Sequence, residues 1–320
     1  MKSKRMTEAA MLSALFVVTS LLAIGTGVAY SLYLDMIVPI LIALIYFKCD
    51  FKYTILSAIT SLTIVMLVYG NVASGLYMIQ SMLMGIVCGI LIKKESTIFD
   101  DLFYCGIFGC IVMILIDIYF SGILGYSFIG EARGYLDYIP YNEEIKNVIF
   151  YCTVASIPLG TIFITYFISL ILGKKLRLLD NVAKRKFTII KNFRKFGSFI
   201  CCSNRTTNIG MVYLLVMIIL KMTNILEIHT YVKILFSAIE VVILYFLISD
   251  AFKIVPRNIY KITKSKLAFI TAEILIIFML INQFRITTLI ILLYSYIVNK
   301  KENIRDTQIE ALNRNIVHFI

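Results

Sequence analysis

The chain has 320 residues, 60% of them hydrophobic and 16% charged, and a mean hydropathy of +0.89, a balance that excludes a water-soluble globular domain. Its formal charge of +12 is spread through segments flanking apolar runs rather than gathered on one face, which points to anionic lipid headgroups and away from nucleic acid. Seven cysteines without metal-ligand spacing and only two histidines, His229 and His318, set aside a metal site and histidine-based catalysis.

Residues 2–5 are basic, and the apolar run at 8–30 is too long for a signal-peptide core and lacks a small-x-small cleavage site, so it reads as the first span. A second span, 35–47, contains Pro39, which is predicted to kink it because proline cannot donate to the helical ladder. A short basic turn at 48–52 leads to a third span at 53–69, and Gly70-Asn71 turns the chain again. The fourth span, 72–92, stops at Lys93-Lys94, and the fifth runs from 102 to 124. The loop at 125–147 sets Glu131, Asp137, Glu143 and Glu144 against Arg133 and Lys146, and its aromatics suit an external loop lying on the membrane interface.

After a sixth span at 148–172 comes the most basic stretch, 174–205, whose only acid is Asp180. Leu176, Leu179, Ala183, Phe187, Ile190 and Phe193 recur there at three- to four-residue spacing, the pattern of an amphipathic helix on the inner leaflet. Four further spans follow at 209–226, 231–255, 267–281 and 286–298, the last two short enough for a tilted or re-entrant hairpin. Apart from Arg133, Lys146, Lys221, Lys233 and Arg285, the lysines and arginines fall where this alternation puts the cytoplasm.

The expected fold is therefore an all-α polytopic transmembrane bundle of about ten spans (eight to ten), with both termini cytoplasmic. Abundant isoleucine, lysine and asparagine with no tryptophan suggests a bacterial source, hence a multi-pass protein of the plasma membrane. The natural divisions are a six-span domain at 1–172, a basic linker at 173–208, a four-span region at 209–298 and a cytoplasmic tail at 299–320.

Ionisable groups inside apolar runs are the first candidates for function. A central aspartate costs about 3 kcal/mol on insertion scales, against roughly 0.3 to 0.6 returned by each large apolar residue, so Asp117 is expected to face the bundle or a wet cavity. Lys221, Glu240 and Glu273 are likewise intramembrane, and Lys221 and Glu240, on adjacent antiparallel spans, are placed to pair. Asp250, near a cytoplasmic end, is expected to be solvated. In the fourth span Asn71, Ser74, Met78 and Ser81 share a helical face with Tyr77 and Gln80 beside it, a polar stripe that serves either a small ligand or tight packing. No phosphate-binding loop, His-Glu-x-x-His or nucleophile elbow occurs, so neither an enzyme nor a cofactor is expected.

The basic start, Thr7-Glu8-Ala9-Ala10 opening span one, Pro39 in span two, and Gly85 and Gly89 before Lys93-Lys94 together resemble the YybS-like predicted membrane protein family. That family's first half is similar to the substrate-binding S components of energy-coupling-factor transporters, and the resemblance covers about residues 5–172. It implies that Ala10 and Ala14, matching the family's Ala-x-x-x-Ala pattern, dock a membrane coupling subunit that works with ATPases. It further implies that Asn71, Tyr77, Gln80 and Asp117 line an outer pocket for a small solute, with residues 126–141 as its lid. Two other readings stay open: a scaffold recruiting envelope proteins and anionic lipid through the basic helix around Lys184, Arg185 and Lys186, and a proton-coupled transporter using Asp117 and Glu240.

Overall fold

A computed structural model describes residues 2–27, 32–70, 72–138, 140–223 and 230–317. Among the described residues every regular element is helical. In chain order these are α1 (Lys2–Thr26), a π-helical turn (Tyr33–Ile37), α2 (Val38–Tyr69), α3 (Val72–Lys93), α4 (Ile98–Leu124), α5 (Phe128–Asp137) and α6 (Glu143–Lys175). There follow α7 (Asn181–Lys191), α8 (Phe193–Phe196) with a 3-10 turn (Gly197–Phe199), α9 (Asn204–Met222), α10 (Thr230–Thr263), α11 (Lys266–Asn282), α12 (Phe284–Glu302) and α13 (Ile304–Val317). Six of them, α1, α3, α4, α6, α9 and α10, are long and apolar enough to cross a membrane. The other four expected spans fall on the two arms of α2, on α11 and on α12.

The first compact unit comprises Met1–Ser96, Tyr104–Phe187 and Leu226–Ile239. Within it α2 breaks at Asp50, whose φ of 68° and ψ of 172° are non-helical, and the contacts with α1 show that the chain reverses there. Asp50 pairs with Arg5, Ser57 donates to the Ala9 carbonyl, and Tyr69 donates to the Leu21 carbonyl at 3.2 Å. At the start of the other arm, the Tyr33 hydroxyl lies 2.6 Å from Ser20 Oγ. Residues 33 and 69 thus share one end of α1 and residue 50 marks the other. The regular α-helix is disturbed next to Pro39, as expected. Pro39 follows directly on the π turn, which Val38 N–H closes by donating to the Tyr33 carbonyl, and that wider turn accommodates the bond that proline cannot make.

Helix α3 lies against the first arm of α2 because two glycines let it approach. A Cβ on Gly85 would collide with the backbone of Pro39, and one on Gly89 would press on the Tyr46 ring at 3.0 Å. Lysines close the helix ends near Lys93. Lys93 Nζ donates to the carbonyls of Tyr46 and Phe47 at 3.3 and 3.2 Å, and Lys186 Nζ donates to those of Leu91 and Lys94 at 2.8 and 2.7 Å. A cation on the last carbonyls of a helix satisfies orphan acceptors and opposes the helix dipole.

This corrects two expectations about the basic stretch. Lys186 is buried and acts as a cap rather than meeting lipid. The amphipathic helix is also shorter than its sequence period: Arg177 turns left-handed at φ 58°, and Leu178 N–H donates back to the Gly173 carbonyl at 2.8 Å, so α6 closes there. Leu176 is therefore exposed, and α7 buries Ala183 and Ile189.

The second unit comprises Thr97–Phe103, Thr188–Ile225 and Glu240–Ile320. Its core is built on α10. Phe246 meets Phe99 and Phe103 edge to face, with ring centroids 5.8 and 6.0 Å apart, and Gly210 of α9 admits Leu247 and Ile243. The stretch after residue 299 is not a free tail. Arg305 stands in the first turn of helix α13, and its side chain is 2% exposed. Asp250, expected in water, is completely buried and bonded to that guanidinium.

Candidate functional site

In the first unit the side chain of greatest interest is Asp117 of α4, which is 5% exposed. Its carboxylate is taken up by the start of α5. One oxygen accepts the N–H groups of Phe128 and Ile129 at 2.7 and 3.4 Å, and the other accepts the Ser127 hydroxyl at 2.9 Å. Ser127 is itself the N-cap, its oxygen accepting Gly130 N–H at 3.0 Å. A helix start presents unpaired N–H groups and a partial positive charge, so a buried carboxylate is stabilised there without a metal or a counter-cation. Chemically the arrangement pins a ten-residue helix to α4.

Around this anchor, Tyr77 and Gln80 are half-buried on α3, with Met78 and Ser81 turned into the core. Asn71 lies outside the described residues. The Tyr126 hydroxyl is held above its ordinary pKa, first by burial and then by the Glu131 carboxylate, to which it is hydrogen-bonded, with Tyr77 adding in the same direction. Nearby is a shallow surface dent lined by Arg133, Leu136, Asp137, Glu143, Lys146, Asn147 and Phe150. The Arg133 guanidinium stands 5.4 Å from the Phe150 ring centroid, and Lys146 reaches Glu143 at 3.4 Å. Tyr77, Gln80 and Asp117 are not part of that lining.

Ala10 and Ala14 lie on the open face of α1, beside exposed Met11 and Val18, whereas Ala9, Phe16, Val17 and Ser20 enter the core. In the second unit Lys221 Nζ donates to both Glu240 oxygens at 2.8 and 2.7 Å. Lys221 is half exposed and Glu240 mostly covered. Glu273 is half-buried on α11.

Sequence reasoning missed the most elaborate polar centre, which also belongs to the second unit. Arg305 Nε donates to Asp250 Oδ2 at 2.9 Å and Nη2 to Ser295 Oγ at 3.2 Å. Cys202 N–H donates to Asp250 Oδ1 at 3.2 Å. The neighbouring Ser203 N–H donates to Asp100, on α4, at 2.9 Å. Lys253 Nζ donates to the Ile200 carbonyl at 2.9 Å and stands 4.0 Å from the Phe99 ring centroid. Burial, with the negative charge of Asp250 second, pushes the Cys201 thiol up to about 12 and raises Cys202 well above its ordinary value, so both thiols are inert nucleophiles. The acids at the start of α4 and in α10 were visible signals. Their partners were not, because they come from segments 55 and 103 residues away.

No group of histidine, cysteine and carboxylate side chains that could hold a metal ion occurs among the described residues. Of the comparisons with known proteins, the one with family models bears on class and goes no further. No curated protein matches the chain, and no solved structure does. Residues 11–139, from α1 to just beyond α5, match the model of a family described as a predicted membrane protein, DUF2232, so over that stretch the chain is similar to an uncharacterised family of integral membrane proteins.

Proposed function

We propose that the chain crosses a bacterial plasma membrane about ten times, with both ends cytoplasmic, and that its first unit works in the manner of an S component. It captures a small solute at the Asp117 end and docks a membrane coupling subunit, with its ATPases, through α1. The unit supplies six apolar helical segments for this: α1, the two arms of α2, α3, α4 and α6. The observation that carries the reading is the open face of α1. There Ala10 and Ala14 are uncovered at helical spacing in the half near Arg5, while the opposite face holds the core. Small residues let a partner helix approach backbone to backbone, which is how helices associate in lipid.

The test is Ala10→Trp in the tagged full chain, purified gently from its native host. Recovery of a coupling subunit with the unaltered chain, and its loss with the variant at unchanged yield and thermal stability, is the expected pair of results. Equal recovery from both, or none from either, overturns the docking. The scaffold reading has less to draw on, since Lys186 is spent on helix carbonyls. The proton-coupled reading must first free Asp117 from three donors and Glu240 from Lys221.

A further inference from the structure

The tether between Asp117 and α5 fixes the depth of that short helix. Helix α4 begins at Ile98, and at about 1.5 Å per residue it climbs about 29 Å to Asp117 and a further ~10 Å to Leu124. The hydrocarbon layer is about 30 Å thick. The start of α5 is therefore folded back from the tip of α4 to the level where acyl chains give way to headgroups. At that level α5 buries Ile129, Ala132 and Leu136 against the protein and leaves its other face uncovered. That face carries Glu131, Arg133, Tyr135 and Asp137; Tyr135 is 71% exposed, and Tyr138 and Tyr141, just past the helix end, are 89% and 57% exposed. Tyr119 on α4 and Ile145 and Val148 on α6 are exposed as well.

We propose that α5 and the residues that follow it form an interfacial segment that docks on the lipid headgroup layer through Tyr135 on the helix and Tyr138 and Tyr141 beyond its end. A tyrosine ring has an apolar body and a wet hydroxyl, and its lowest-energy place beside a membrane is this boundary. The segment's charges select the kind of lipid contact. Glu131, Asp137, Glu143 and Glu144 outnumber Arg133 and Lys146, so anionic headgroups are repelled and the attraction comes from the rings. Docking is therefore independent of anionic lipid and of salt. It is equally independent of whether the unit carries a solute.

The chain contains no tryptophan, so Tyr138→Trp introduces a single indole reporter. The full chain is reconstituted in phosphatidylcholine vesicles and its emission followed with aqueous iodide and with lipids brominated near the glycerol or near the chain ends. Docking predicts blue-shifted emission, several-fold weaker iodide quenching than free tryptophan amide, and stronger quenching by the shallow bromines. Adding anionic lipid or salt leaves all three unchanged. Water-like emission with full iodide quenching and no effect of either bromolipid overturns the proposal, as does docking that appears only with anionic lipid. Tyr135→Trp gives the same readout should the first variant fail to fold.

Discussion

Replacing Arg305 with alanine tests whether the second unit depends on one buried charge pair. Arg305 holds Asp250 Oδ2 through Nε at 2.9 Å and Nη2 at 2.8 Å, with the two side chains 2% and 0% exposed. Without the guanidinium, the carboxylate is left among the described residues with the Cys202 N–H, and Lys253 is engaged at the Ile200 carbonyl. A buried charge stripped of its partner costs about 3–5 kcal/mol. The cost is readable locally, because Cys201 and Cys202 are covered and Cys201 Sγ lies 4.0 Å from the Arg305 carbonyl. If alkylation proceeds through opening of α13, a loss of about 3 kcal/mol speeds labelling of these two cysteines roughly a hundredfold, at 1.4 kcal/mol per decade. The assay is maleimide labelling resolved by peptide mass spectrometry, in a Cys152→Ser background that removes the exposed thiol. The double variant Asp250→Leu/Arg305→Met, which replaces the pair by apolar side chains, should return labelling to within about tenfold of the parent. Unchanged labelling in Arg305→Ala, or a double variant as labile as the single, refutes the reasoning.

Two further predictions concern the first unit. Asp117→Ala removes the acceptor for three donors at the start of α5 and should destabilise that segment by about 1.5–3 kcal/mol, read as faster amide hydrogen exchange across residues 127–137 with exchange in α1 unchanged. Lys186→Met should lower the unfolding free energy by about 1–3 kcal/mol, because two helix-end carbonyls lose their donor. Arg185→Gln, at an exposed position, should stay within about 0.5 kcal/mol of the parent; equal effects would mean that Lys186 is a surface residue after all.

The helical, membrane-spanning class was readable from composition and apolar run length, because a long continuous apolar run satisfies its backbone hydrogen bonds in hydrocarbon as a helix, whereas the strands of a barrel alternate. The pairing of Lys221 with Glu240 was readable for a related reason: consecutive spans run antiparallel, and each charge had a computable depth. Asp117 stood out as an intramembrane acid. Its partners did not, since they are two backbone N–H groups and a serine, whose availability depends on a helix start that polar loop residues did not announce. Pro39 marked where the helix is disturbed, but not the form of the disturbance, a π turn just before it, because the sequence does not say how the neighbouring carbonyls regroup. The Asp250–Arg305 centre was illegible outright. Arg305 sits among mixed charges that look like any solvated segment, and nothing local says that it folds inward.

The reach of those polar contacts along the chain also sets a timetable during synthesis. Asp100 leaves the ribosome 103 residues ahead of Ser203, and Asp250 leaves 55 residues ahead of Arg305. At ~5–20 residues per second these intervals are about 5–20 s and about 3–11 s. For that time Asp100 waits for the Ser203 N–H and Asp250 has the earlier Cys202 N–H but not its guanidinium, so each carboxylate must stay partly hydrated or be shielded by the insertion machinery. The second unit therefore closes late and from its far end, which makes the interval before Arg305 emerges the period when a stalled chain is most exposed to proteolysis.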